Sequence, residues 1–180
     1  GLIRKLNPNG LGINSTNLTK VGTRVYFSGD ENQKGRELYV TNGNSSGTYL
    51  VKDIYSGYKD AYPSSLAAFK DSMLLFTAND GKRGSELMIT DGTSANTKLV
   101  KDIGDGTASG FVRYIVEGKT GVAYFTASDT NGSELWKTDG TEAGTELIKD
   151  ILPGKVGSFP ELLTYHSGLE KLFFVAFDST

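Results

Sequence analysis

An all-β chain of repeated four-stranded units is what this sequence predicts, and three observations carry the prediction. An aromatic run returns as VYFSGDE, LLFTAND, AYFTASD and FFVAFDS, and its Phe27, Phe76, Phe125 and Phe174 stand 49 residues apart. Behind the first three runs a second stretch returns, as ELYVTNGNSSGTYLVKDI from Glu37, ELMITDGTSANTKLVKDI from Glu86 and ELWKTDGTEAGTELIKDI from Glu134. Composition agrees: 23 Gly against 4 Pro supplies turns, while 9 Tyr and 9 Phe favour strands. A unit recurring at fixed spacing is a packing module stacked on copies of itself.

Each unit holds four short runs divided by turn signals. In the second copy these are SSLAAF (64–69), MLLFTA (73–78), ELMIT (86–90) and KLVKDI (98–103). The first of them follows Pro63, as PELLTYH follows Pro160, and proline there also suits a helix start. The equivalent FVRYIVEG is rich in β-formers, and one repeat should use one conformation, so strand is expected in every copy. Between the third and fourth runs, Asn42-Gly43, Asp91-Gly92 and Asp139-Gly140 predict tight turns, the Asp accepting backbone N–H groups and the Gly taking positive φ. Trp136, like its counterparts Tyr39 and Met88, is expected to pack between units.

Three of the four links per unit have hairpin length, which makes an antiparallel meander. The fourth is longer: YSGYKDAYPS, GDGTASGF and LPGKVGSFP. Four-stranded meanders joined by longer crossings are the sequence form of propeller blades, with a stacked β-solenoid as the competitor. The fold class predicted is therefore a β-propeller-like array of four-stranded antiparallel blades, about three full repeats plus partial ends. Residues 1–13 give the outer strand of a preceding blade, 14–54, 63–103 and 111–151 the blades, and 159–180 a partial blade. Because such a series does not close a ring, the expectation is a piece of a longer protein or one part of an assembly that completes the propeller.

The third copy, ELWKTDGTEAGTELIKDI followed by LPGKVGSFPELLT, resembles the ELWxxDGT repeat family. The resemblance covers all but the first few residues; the first copy departs from it with Tyr39 for Trp and TNGNSSGT for TDGTxxGT. Membership implies tandem β-propeller-like repeats in large bacterial secreted or cell-surface proteins, often exported by type IX secretion. It brings no common catalytic residues that map onto this chain.

A formal charge of −2 without a basic run argues against a nucleic-acid surface. Zero Cys excludes disulfides and thiolate metal sites, and no apolar stretch reaches the roughly 18 residues of a membrane-spanning helix. Four constellations are candidates for chemistry. Asp80 with Glu86 and Asp129 with Glu134, echoed by Glu31, Glu37 and Asp178, offer oxygen ligands around Gly-rich bends of the kind Ca²⁺ takes; no other cofactor is indicated. Tyr55, Tyr58 and Tyr62 crowd one long link, with Phe111 and Phe159 in the others, and would stack on a glycan or a partner protein or else cap the blade ends. His166, the sole His, has no repeat equivalent and no nucleophile at motif spacing. Asn14, Asn17, Asn44 and Asn131 begin N-x-[ST] triplets. The function expected is a non-enzymatic extracellular scaffold, adhesion or protein-interaction module, the alternatives being a lectin-like propeller, with or without Ca²⁺, and a glycan-active hydrolase or lyase.

Overall fold

The computed structural model describes residues 16–31, 33–119 and 121–178. The outer strand expected within residues 1–13 lies outside them. Among the described residues there are fourteen strands and no helix. In the first sheet β1 (Thr16–Val21), β2 (Arg24–Glu31), β3 (Gly35–Thr41) and β4 (Tyr49–Lys52) pair in chain order. The second is β5 (Ser64–Phe69), β6 (Met73–Asn79), β7 (Ser85–Thr90) and β8 (Lys98–Lys101); the third is β9 (Arg113–Glu117), β10 (Ala123–Asp129), β11 (Gly132–Thr138) and β12 (Glu146–Lys149). A two-stranded sheet of β13 (Glu161–His166) and β14 (Lys171–Val175) follows. All pairings are antiparallel. The segments behind Pro63 and Pro160 are strands, as the equivalence of the copies requires.

Strand alternation explains why both faces of the second sheet are apolar. Leu74, Phe76, Ala78 and Met88 pack with Tyr26, Leu38, Val40 and Val51 of the first sheet. Their sequence neighbours Leu75, Leu87 and Ile89, with Val100 of β8, point the other way, onto Ala123, Phe125, Ala127 and Trp136 of the third. Phe76 lies opposite Met88 in register, as Phe125 lies opposite Trp136, where the two rings stack 6.5 Å apart. In the second and third sheets the 49-residue marker, Phe76 and Phe125, is thus the residue that packs against the preceding sheet. Complete burial of one such ring contributes about 2–3 kcal/mol.

The same contacts tie sheet to sheet. Consecutive sheets meet chiefly through their first strands: β1 with β5, β5 with β9, and β9 with β13. Thr19 Oγ1 donates to the Leu66 carbonyl at 3.4 Å and Ser65 Oγ to that of Val112 at 3.0 Å. Towards the other edge, Lys52 Nζ reaches the Thr97 carbonyl at 2.7 Å and Lys101 Nζ that of Thr145 at 3.0 Å.

The turns follow their chemistry. Asp91 Oδ1 accepts the Thr93 N–H at 2.9 Å and Asp139 Oδ1 the Thr141 N–H at 2.8 Å, with Gly92 and Gly140 at φ of 92° and 89°. In the first copy Asn42 Oδ1 takes the Asn44 N–H at 3.3 Å and Gly43 holds φ 94°, so the altered motif keeps the turn. Of the N-x-[ST] positions, Asn44 and Asn131 sit in turns, whereas Asn17 lies within β1 at φ 64°. Asn14 is outside the described residues.

Candidate functional site

The carboxylates proposed for Ca²⁺ are committed to the protein's own donors. Glu86, at the head of β7, is buried, and its oxygens accept N–H bonds from Ile103 (2.9 Å), Gly104 (3.2 Å) and Gly110 (2.6 Å). Glu134 does the same for Ile151, Leu152 and Ser158, and Glu37 for Ile54 and Tyr55, both at 3.0 Å. Each Glu therefore pins the long connection that leads to the next sheet. Asp80 instead accepts the N–H groups of Lys82 and Arg83 and the Arg83 guanidinium at 2.8 Å, and Asp129 accepts from the Asn131 backbone and side chain. Asp80 and Glu86, like Asp129 and Glu134, are thus hairpin and loop braces. Among the described residues no group of three or more His, Cys, Asp or Glu is arranged to hold a metal.

Burial pushes the Glu37 carboxyl up to about 8, against the pull of its two N–H donors. Glu86 is raised by the same cause, opposed by its three donors. Asp91 and Asp139, near the surface, are lowered, first by the hydroxyls of Thr93 and Thr141 that donate to them.

The three tyrosines of the first long link separate. Tyr55 packs against the core between the first two sheets, its ring so close over Gly81 that a Cβ there would collide with it. Tyr55 is therefore a cap on the sheet end, as the alternative reading of these rings allowed. Tyr58 and Tyr62 stay 83% and 61% exposed. Tyr62 leans on Asp60, whose carboxylate raises the phenol above its ordinary value. His166 ends β13, its Nδ1 accepting the Leu169 N–H of the following turn at 3.1 Å.

A different surface gathers more functional groups. At the end of the third sheet where β9 begins, where the β10–β11 hairpin turns, and where the chain enters β13, an open cleft of about 430 Å³ is lined by Phe111, Tyr114 and Phe159 together with Arg113, Asp129, Lys155 and Glu161. The equivalent place between the second and third sheets holds a smaller cleft of about 190 Å³, lined by Ser64, Ser65, Ser85 and Ser109 together with Thr77, Phe111, Val112 and Arg113. Phe111 belongs to both walls, so the two clefts adjoin.

Backbone geometry makes this rim unusual. Tyr62, Phe111 and Phe159 have φ of 51°, 46° and 47°, and three residues further on Ser65, Tyr114 and Leu162 have 50°, 53° and 56°. Each member of the second series sits where its strand shifts register against the next, a β-bulge repeated from copy to copy. Among the described residues, Arg113, Lys155 and Glu161 make no side-chain hydrogen bond or ion pair, so their polar groups face the cleft uncommitted. Sequence reasoning noted Phe111 and Phe159 but not the cleft, because neither the bulge nor the pairing of β9 with its neighbour across the gap leaves a residue signature.

No protein-family model matches the chain, and no curated protein matches it either.

Proposed function

We propose that the chain is a segment of a β-propeller-like array of the ELWxxDGT repeat type, displayed outside the cell or on its surface, and that it acts as a non-enzymatic scaffold and interaction module. One observation supports this most: residues that stack sheet on sheet are alike in each copy, whereas the clefts at the loop end, which share Phe111 and Arg113, are otherwise lined differently, by hydroxyl residues in one and by Tyr114, Phe159, Asp129, Lys155 and Glu161 in the next. A repeat protein keeps its packing positions and varies the surface that meets a partner. Sheets meeting through their first strands is also the arrangement blades take around an axis. The partners would be the adjoining parts of the same array and a cell-surface protein or glycan.

The test is binding of fluorescently labelled chain to washed cell envelopes of the organism that encodes it. Saturable binding, displaced by unlabelled chain, is the expected result. Absence of saturable binding would overturn the interaction reading.

A further inference from the structure

We propose that the cleft bounded by Phe111, Tyr114 and Phe159, where the third sheet meets the two-stranded β13–β14 sheet, binds a neutral oligosaccharide. The proposal rests on the interaction-module reading and gives it a ligand class.

The rings are not explained by folding alone. A non-Gly residue at positive φ costs about 1–2 kcal/mol, and glycine or asparagine would take the position more readily. Burial would offset that cost, yet Phe111 and Phe159 remain 59% and 50% exposed and Tyr114 47%. An aromatic side chain at a strained, half-exposed position, repeated at intervals of 49 and 48 residues from Tyr62 through Phe111 to Phe159, is placed to meet something outside the chain. Exposed rings stack on flat apolar faces.

Charge and shape narrow the class. Arg113 and Lys155 are matched in the same cleft by Asp129 and Glu161, so the lining has no net sign with which to select an ion. Arg113, Lys155 and Glu161, uncommitted beside aromatic rings, suit a ligand with many hydroxyls and apolar faces but no charge of its own. Phe111 and Arg113, shared by both clefts, join them into one extended surface, which suits a chain of units better than a single small molecule. An extended peptide would need a continuous edge of backbone N–H and C=O groups, and the repeated bulge at Ser65, Tyr114 and Leu162 interrupts that edge. A sugar chain, read by side chains, has no such requirement.

The experiment is affinity electrophoresis of the whole chain in gels containing soluble β-1,4-glucan, β-1,3-glucan, xylan or mannan, with a polyanionic heparin gel and a blank gel beside them. Variants are Phe111→Gly and Phe159→Gly, singly and together, because glycine relieves the backbone at these positions. Retardation in at least one neutral polysaccharide, weakened at least tenfold in the double variant while its unfolding midpoint is unchanged or higher, is expected. No retardation in any neutral gel, equal retardation of the double variant, or retardation in heparin alone would each overturn the assignment. A midpoint that falls in the glycine variants would also overturn it, by making the rings packing elements. Saturable envelope binding that persists without polysaccharide binding removes the glycan class alone; loss of both removes the interaction reading too.

Discussion

Replacing Glu86 by alanine should destabilise the chain by about 3–5 kcal/mol, and the structure supplies the terms. Three N–H groups point at its carboxylate, from Ile103, Gly104 and Gly110. Gly110 also donates to the Ser85 carbonyl at 3.1 Å and would keep that partner. Ile103 and Gly104 have no other acceptor among the described residues. Leaving the buried Ile103 donor unsatisfied costs about 1–3 kcal/mol, the half-buried Gly104 donor, which water partly reaches, about 1, and the lost stem contacts about 1, which gives about 3–5. Glu86→Gln keeps the shape and one good acceptor and should lose no more than about 2 kcal/mol. Urea unfolding at pH 7, followed by Trp136 fluorescence, measures both. A loss under about 1 kcal/mol for the alanine variant would mean that water reaches these N–H groups, and the carboxylate would then not be what holds the long connection.

Gly140→Ala should cost clearly more than Gly43→Ala: both glycines have φ near 90°, but a Cβ at Gly140 would lie 2.9 Å from Ile89 and 3.1 Å from Phe69, whereas at Gly43 it meets open space. Equal losses in thermal unfolding would show that strain alone decides both. Stability should also fall as pH rises from about 5 to 8, since a carboxyl raised from its ordinary 4.5 to about 8 binds its proton more tightly in the folded state, and its contribution is full below the lower value and lost through the upper one. The lowered carboxyls of Asp91 and Asp139 act only at more acidic pH, so this window isolates the buried glutamates. Unfolding midpoints at pH 5, 7 and 9 should decline in the parent and decline less in Glu37→Gln, where the raised Glu86 remains; a parent midpoint that climbs over this range contradicts the burial argument.

Strand positions are legible in the sequence because alternation and turn chemistry act locally. The run 64–69 coincides with β5, and Asp91-Gly92 and Asp139-Gly140 form the turns their residue types dictate. The fourth strand of the second copy is expected over 98–103 but ends at Lys101, because the N–H of Ile103 turns away to Glu86. Glu86 itself reads from the sequence as a candidate Ca²⁺ ligand, since a carboxylate beside a Gly-rich bend is ordinarily solvated and free to bind. Its signal is the repetition of Glu before Leu in every copy, at the edge of an otherwise buried strand. Tyr55 and Tyr62 look equivalent in sequence, yet one lies over a glycine and the other projects to solvent, a difference set by the neighbouring hairpin. The cleft depends on bulges and on what stands across the gap between sheets, neither of which local pattern encodes.

The central claim is that successive sheets fan out from their first strands. Because the chain has no cysteine, spin labels can be placed on single introduced thiols in pairs. One pair, Lys98→Cys with Glu146→Cys, reports the exposed fourth strands β8 and β12; the other, Arg113→Cys with Glu161→Cys, reports the first strands β9 and β13 at equivalent repeat positions. Double electron–electron resonance should give a clearly longer distance for the fourth-strand pair than for the first-strand pair. Equal distances would mean sheets stacked in parallel layers, as in a solenoid, and would contradict the account.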